Sequence, residues 1–316
     1  MKILYGIQGV GNGHITRSLR VIEEIESLGH SVNILISGNS NSININREVD
    51  FRFKGFNFGY HKNGKISIPK TLINSNFKDL IRGNKIDLKN WDLVISDFEP
   101  ITAWIGMWQG VDVTGISNQY SFISNKTPRP DKKELLSEFI IDKFAPVTNP
   151  IGIHYHNYDD FIFTPIIRKE ILEATPIDLE YYLVYLPNKS LESIVYLIKG
   201  YTDRTFIVYH PNIKSDYEWK NIKFRKIDSS KFLKTFIECS GIITSSGFGS
   251  TSEAIHLGKK IFSIPTVGQY EQECNNAALK KLGIEYDNLN NFIESDHSIR
   301  IVYKDPIKDI LTKIGI

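Results

Sequence analysis

A run of small and hydroxylated residues in the second half of the chain has the composition of a phosphate-binding loop. The run, from Ser245 to Thr251, leads from a predicted strand directly into a predicted helix. Small residues allow close approach to the backbone, and the N–H groups and positive dipole end at a helix N-terminus attract an anion. Glu253 follows, in what we expect to be the first turn of that helix. A carboxylate there can accept two ribose hydroxyl protons, or it can simply complement the helix dipole.

Amide and carboxylate side chains accumulate further along the chain, between Pro265 and Asn276. Each of them can donate to or accept from a hydroxyl group, so this density suits a polyhydroxylated ligand. A solvated helix start has a similar composition. The residues alone leave both interpretations open.

A second glycine-rich loop lies near the N-terminus, where Gly9, Gly11 and Gly13 lead to His14. Its third glycine comes one position too early for the Gly-x-Gly-x-x-Gly dinucleotide fingerprint, and the next strand ends without an acidic residue for a ribose. A turn of this kind still directs N–H groups at an anionic or polar ligand, with His14 at the junction of strand and helix. The alternative is a tight turn that only glycine tolerates.

Strands and helices alternate in both halves of the chain, which predicts parallel sheets with ligands at the carboxyl ends of the strands. The pattern weakens over 148–164, and we place the domain boundary there, between residues 1–155 and residues 156–316. We expect the last helix to end the second domain or to pack back on the first. The predicted strands are those over 2–7, 31–36, 91–96, 113–116, 182–186, 205–209, 241–244 and 260–264, and the predicted helices those over 15–28, 191–199, 232–238, 251–257 and 271–282.

Composition limits the classes of function. The chain has 316 residues, which fits two domains, and 38 Lys and Arg against 36 Asp and Glu give a net charge of +2. A balance this even predicts no basic face for nucleic acid. Two cysteines form no disulfide framework and the N-terminus carries no apolar leader, so we expect a cytoplasmic protein. A peripheral contact with the inner face of the membrane stays open, because it needs only a surface patch.

The order of three motifs resembles the GT-B glycosyltransferases, in particular the branch of the peptidoglycan N-acetylglucosaminyl transferase, and the UDP-glycosyltransferases. The motifs are Gly-x-Gly-x-Gly-His from Gly9, Ser-Gly-x-Gly-Ser-x-Ser-Glu-Ala from Ser246, and Pro-x-x-Gly-Gln-x-Glu-Gln-x-x-Asn-Asn-Ala from Pro265. The resemblance implies an α/β fold of two Rossmann-like domains, whose parallel sheets face each other across a cleft. It also implies that the N-terminal domain takes the acceptor and the C-terminal domain takes the nucleotide-sugar donor.

The resemblance carries over to individual residues of the donor site. It implies that Glu253 holds the ribose hydroxyls and that Gln272 with Glu273 faces the donor sugar. The peptidoglycan enzyme has a second glutamine where Glu273 stands, so the transferred sugar need not be N-acetylglucosamine. Gly11 and Gly13 fall in the acceptor-side loop. The residues that would surround the diphosphate are Ser246, Gly247, Gly249, Ser250 and Thr251.

His14 matches a histidine that related transferases place beside the acceptor hydroxyl, and Asp97 matches an aspartate that orients it. A neutral imidazole assists attack by a poorly nucleophilic hydroxyl, and a buried carboxylate fixes its tautomer. The chain contains no Asp-x-Asp motif that would hold a divalent ion. We therefore expect no metal and no other cofactor, with the helix after Gly249 stabilising the leaving diphosphate.

Together these points predict an inverting, metal-independent glycosyltransferase. The expected donor is a nucleoside diphosphate sugar, most simply a UDP-sugar. The expected acceptor is a hydroxyl of a glycan or lipid-linked molecule in cell-envelope or surface polysaccharide synthesis. Two alternatives remain at this point: a nucleotide-sugar epimerase of the same fold, and a non-catalytic nucleotide-sugar-binding subunit.

Overall fold

The chain forms two α/β units in the computed structural model, which describes residues 1–38, 45, 47–56 and 76–316. Unit 1 comprises residues 1–168, 267–271 and 304–316, and unit 2 comprises residues 169–266 and 272–303. The boundary predicted after residue 155 therefore falls inside unit 1.

Unit 1 is built around a parallel sheet that has seven strands in the described part of the chain, in the order β3-β2-β1-β4-β5-β6-β7. The central strands are almost wholly buried, because helices and loops cover both faces of a parallel sheet. The strands are β1 Lys2–Gln8, β2 Ser31–Ser37, β3 Phe51–Phe53, β4 Leu93–Asp97, β5 Val113–Ser117, β6 Asn149–Ile153 and β7 Ile162–Phe163.

Unit 2 is built around a sheet that has six strands among the described residues, in the order β10-β11-β9-β8-β12-β13. All of its pairings are parallel except the hairpin between β10 and β11. The strands are β8 Tyr181–Tyr185, β9 Thr205–Tyr209, β10 Tyr217–Trp219, β11 Ile222–Arg225, β12 Gly241–Thr244 and β13 Lys260–Ser263.

Helices connect the strands in both units. The first, α1, buries Ile15, Ile22 and Ile25 at helical spacing, and the last, α11, belongs to unit 1, where it packs on α1. The helices are α1 Asn12–Ser27, α2 Lys78–Gly83, α3 Pro100–Gln109, α4 Leu135–Phe144, α5 Lys169–Leu172, α6 Leu191–Ile198, α7 Ser229–Glu238, α8 Phe248–Leu257, α9 Tyr270–Lys281, α10 Leu289–Glu294 and α11 Ile307–Lys313.

These elements confirm the predicted α/β class and the predicted strands and helices, with one difference that matters for the donor loop. Helix α8 begins at Phe248, not near Thr251, because extended Gly247 caps it and the Phe248 side chain is buried. Glu253 therefore lies in the second turn of the helix, and the prediction that it lies in the first turn was wrong. The two glycines around Phe248 made the first turn of the helix resemble a loop in the sequence.

Candidate active site

The sheet of unit 1 brings His14 and Asp97 together. His14 lies in the first turn of α1, which follows β1, and Asp97 is the last residue of β4. Because β1 and β4 are parallel neighbours with Ile7 opposite Asp97, both segments reach the carboxyl edge at the same level. His14 Nδ1 lies 2.8 Å from Asp97 Oδ1, and the His14 side chain is 14% exposed while Asp97 is fully buried.

The next turn of α1 supplies two further partners of Asp97. Arg17 donates from Nε to Oδ2 at 3.0 Å and from Nη2 to Oδ1 at 2.5 Å, and Ser18 Oγ donates to Oδ2 at 2.9 Å. Burial by itself would raise the pKa of Asp97, but the Arg17 guanidinium and His14 outweigh it and lower this pKa to about 2. The carboxylate is thus held ionised, with both oxygens engaged.

A polar chain continues from Arg17 past the other side of the imidazole. Arg17 Nη2 donates to Ser117 Oγ at 3.3 Å, and that hydroxyl donates to Gln119 Oε1. Gln119 Nε2 donates to Glu271 Oε2 at 2.8 Å and lies 3.4 Å from His14 Nε2. Glu271 belongs to unit 1 through the segment 267–271.

The residues predicted for the site did not include Arg17, Ser117, Gln119 and Glu271. Ser117 ends β5, so the expectation that ligands meet strand carboxyl ends would have pointed to it and to nearby Gln119. Glu271 is a specified position of the third motif, directly before the predicted pair Gln272 and Glu273, but the motif assigned it no role.

The turn after Asp97 has a strained backbone. Phe98 has a φ of +51°, a conformation that costs a non-glycine residue about 1–3 kcal/mol. Its ring packs against Tyr120 and Phe144, with centroids 5.7 and 5.1 Å away. Buried Glu99 then caps α3 by accepting from the backbone N–H groups of Ile101 and Thr102. This packing holds the end of β4, and with it the Asp97 carboxylate.

In unit 2 the predicted diphosphate residues lie together between β12 and the first turn of α8. Ser246 is fully buried with a φ of +59°, and its Oγ hydrogen-bonds to Ser263 Oγ. Asn275 of α9 donates from Nδ2 to the Ser246 carbonyl at 3.1 Å. The loop is thus fixed by contacts from a neighbouring strand and a neighbouring helix.

In the first turn of α8 the N–H groups of Gly249 and Ser250 have no acceptor within the helix. A methyl carbon added at Gly249 would meet no described atom within 4 Å, and one added at Gly247 would meet only Ser250 Oγ, at 3.6 Å. Thr251 is fully buried, and its hydroxyl donates to the Gly247 carbonyl at 2.9 Å. The two glycines thus leave space beside the backbone of this turn.

The remaining predicted residues divide between the two units. In unit 2, Glu253 is 7% exposed in the second turn of α8. Gln272 Oε1 accepts from the Thr266 N–H at 2.8 Å, and Glu273 is partly buried. In unit 1, Gly11 has a φ of +88° at the cap of α1, so its conformation requires glycine, and added carbons at Gly11 and Gly13 meet no described atom within 4 Å.

Among the residues that the structure describes, no three His, Cys, Asp or Glu side chains come together as a group that could hold a metal ion. No helix in the same part of the chain is long and apolar enough to cross a membrane.

Solved structures that resemble this chain include glycosyltransferases of the GT-B fold. SnogD from Streptomyces nogalater matches with a TM-score of 0.54 at 14% identity, over 90% of this chain and 85% of that one. UGT2 from Phytolacca americana was solved with UDP-2-fluoro-glucose and pterostilbene. It matches with a TM-score of 0.56 at 13% identity, over 89% of this chain and 83% of that one. SsfS6 from Streptomyces sp. SF2575, solved with thymidine diphosphate, matches with 0.54 at 10%, over 92% of both chains.

The sequence profile of glycosyl transferase family 1 matches residues 1–301, and the chain belongs to this family. It is therefore a glycosyltransferase, as the motifs implied. A search of curated protein sequences finds no match.

Proposed function

We propose that this glycosyltransferase moves a sugar from a UDP-sugar to a hydroxyl of a glycan or lipid-linked acceptor, with inversion at the anomeric carbon. The observation that supports the proposal most directly is the 2.8 Å contact between His14 Nδ1 and Asp97 Oδ1. Cell-envelope or surface polysaccharide synthesis is the setting that the motif resemblance implies for such an acceptor.

His14 acts as the general base. Its Nδ1–H donates to ionised Asp97, which leaves Nε2 free to take the acceptor's hydroxyl proton as the oxygen attacks the anomeric carbon. The bond from that carbon to the diphosphate breaks, and its electron pair leaves with the diphosphate. Gln119, which lies 3.4 Å from Nε2, and its partner Glu271 contact the incoming acceptor in this proposal. One displacement of this kind inverts the configuration.

Unit 2 binds the donor in this proposal. The N–H groups of Gly247, Gly249 and Ser250 meet the diphosphate, and the positive end of α8 stabilises the charge that develops as it leaves. Glu253 accepts from the ribose hydroxyls, while Gln272 and Glu273 contact the sugar. With this electrostatic support the reaction requires no divalent ion, and activity is expected to persist in excess chelator.

Donor binding is tested by thermal unfolding with UDP-, GDP-, dTDP- and CMP-sugars. A ligand at 100 times its Kd stabilises the native state by about 2.7 kcal/mol, so we expect the largest rise in Tm with a UDP-sugar. Glu253→Gln should reduce that rise, whereas Glu294→Gln, an exposed position of unit 2, should not. No rise with any of the four would refute the donor assignment, and NMR of a product with retained configuration would refute inversion.

A membrane contact on unit 1 would suit a lipid-linked acceptor. On α4, Leu135, Leu136 and Phe139 are 81%, 50% and 60% exposed, and exposed Lys132 and Lys133 precede them. Apolar side chains next to cations match an anionic bilayer surface. We expect Phe139→Asp to abolish co-sedimentation with vesicles of anionic lipid, and Tyr196→Asp, exposed on α6, to leave it intact. Equal binding by both variants would refute this contact.

A further inference from the structure

The surroundings of His14 contain one more cation than a pair of base and carboxylate requires. Arg17 lies on the same helix, is 9% exposed, and its Nη2 is 3.1 Å from His14 Nδ1. Both its Nε and its Nη2 are used on Asp97. The three side chains therefore form a triad of guanidinium, carboxylate and imidazole, in which Asp97 is fully buried and His14 is partly exposed.

Charge balance decides the state of the imidazole in such a triad. An ionised carboxylate that is fully buried needs a compensating cation, because leaving it unpaired is strongly unfavourable. If Arg17 were absent, the nearest group able to compensate Asp97 is His14, by binding a second proton. With Arg17 present the carboxylate is already compensated, and the positive charge that a second proton brings to the ring would lie beside a guanidinium whose Nη2 is 3.1 Å from Nδ1.

The polar chain on the other side of the ring indicates which nitrogen of neutral His14 carries the proton. Arginine is only a donor, so Ser117 Oγ accepts a hydrogen bond from Arg17. The Ser117 hydroxyl then donates its own hydrogen bond to Gln119 Oε1. The Gln119 amide nitrogen consequently faces Glu271 and His14 Nε2. An N–H donor on that side and a carboxylate at Nδ1 together favour a proton on Nδ1 and a bare Nε2.

We propose that Arg17 is a positioning residue that keeps His14 neutral and leaves its Nε2 unprotonated, by serving as the counter-ion of Asp97 and by orienting Gln119. The inference deepens the proposed function, since it rests on His14 being the base. The charged or titratable groups around the ring are Arg17 on α1, Asp97 on β4, Tyr5 on β1 near Asp97, and Glu271 beyond Gln119.

NMR titration of the His14 ring nitrogens in the ligand-free protein tests the proposal, with the His14 signals assigned by their loss in His14→Gln. In Arg17→Met we expect the pH at which His14 binds its second proton to rise by at least about one unit, a tenfold gain in proton affinity. Arg17→Lys keeps the cation and should remain near the wild type. Arg20→Met removes a guanidinium one turn away that pairs with Asp305, and it should leave the His14 midpoint unchanged.

The double variant Arg17→Met with Asp97→Asn keeps the test valid if Arg17→Met fails to fold. It removes both buried charges, so the His14 midpoint should return to the wild-type value or below it. A midpoint that is unchanged in Arg17→Met, or raised equally in the double variant, would overturn the proposal. Protonation of Nε2 rather than Nδ1 in the neutral wild-type ring would overturn it as well.

This experiment uses no substrate and measures a property of unit 1. Failure of every nucleotide sugar to stabilise the protein would refute the proposed function and leave the titration result standing. An unperturbed His14 titration beside normal donor binding would refute only the role of Arg17. In the acid limb of the pH profile of kcat/KM, Arg17→Met should show the same alkaline displacement as in the NMR titration.

Discussion

The side-chain amide of Asn275 donates a 3.1 Å hydrogen bond to the carbonyl of Ser246, which has a φ of +59°. A non-glycine residue enters this left-handed region only when its surroundings hold it there. The amide from α9 and the hydroxyl of Ser263 supply that restraint. The loop that we assign to the donor diphosphate therefore depends on Asn275, in the adjacent helix α9.

Replacing Asn275 by Ala should weaken donor binding through the loop. The variant leaves the buried Ser246 carbonyl without its donor, which costs about 1–3 kcal/mol of stability. Thermal unfolding with and without a UDP-sugar measures both effects, and we expect a smaller donor-induced rise in Tm. Ser246→Gly in the same background should restore part of it, since glycine adopts this φ without strain. Asn276→Ala is the neighbouring control. If it reduced the donor-induced rise in Tm as much as Asn275→Ala, the specific role of Asn275 would be contradicted.

Replacing His14 by Gln should remove base assistance and leave donor binding intact. General-base assistance contributes about 10²–10⁴-fold, so we expect kcat to fall within that range. The donor-induced rise in Tm should match that of the wild type, because the donor loop is in unit 2. His30→Gln, in the turn between α1 and β2, serves as the histidine control. Normal turnover by His14→Gln would exclude it as the base.

Glu271 and Glu273 should differ in their effects when each is changed to Gln. Glu271 accepts from Gln119, beside His14 Nε2, so Glu271→Gln should raise the KM for the acceptor and lower kcat. Glu273 is proposed to contact the donor sugar, so Glu273→Gln should change the preference among UDP-sugars. Steady-state kinetics with donor and acceptor varied separately distinguishes the two. If both variants changed only the KM for the donor, a role for Glu271 in acceptor binding would be excluded.

His154 should make the fold sensitive to acid. Its burial, together with nearby Arg129, lowers its pKa from the ordinary 6.5 to about 3, so the folded state binds a proton less readily than the unfolded state. Its contribution to stability is complete above about pH 6.5 and is lost as pH falls from there towards about 3. In His154→Gln the free energy of unfolding should vary less over this window, as urea titrations at several pH values would show. His156→Gln, which alters an exposed ring, should retain the wild-type slope.

The sequence predicted eight of the strands, five of the helices and the first members of the candidate site, because these follow from local signals. Short apolar runs between helical segments marked the strands. The two glycine loops marked the turns into helices where His14 and Ser246 lie. The pairing of His14 with Asp97 came from the resemblance to related transferases, and the structure explains it by two neighbouring parallel strands whose ends share one edge of the sheet.

The rest of the site depends on contacts between distant segments, which carry no local pattern. Arg17 on an amphipathic helix resembles any other polar residue of its helix until Asp97 is placed against it. Gln119 follows a strand without a motif, and Glu271 stands in a run of similar side chains. The start of α8 was placed too late because glycine at 247 and 249 is more typical of a loop than of a first turn.

The burial of Arg17 with Asp97 also determines how the site responds to ionic strength. Dissolved ions screen charges that face water, over a Debye length of about 8 Å at physiological salt, and they reach a buried pair far less. An exposed pair such as Lys126 with Asp159 is open to that screening. The electrostatic setting of His14 should consequently stay constant from dilute buffer to concentrated salt, while contacts on the surface of the same unit weaken.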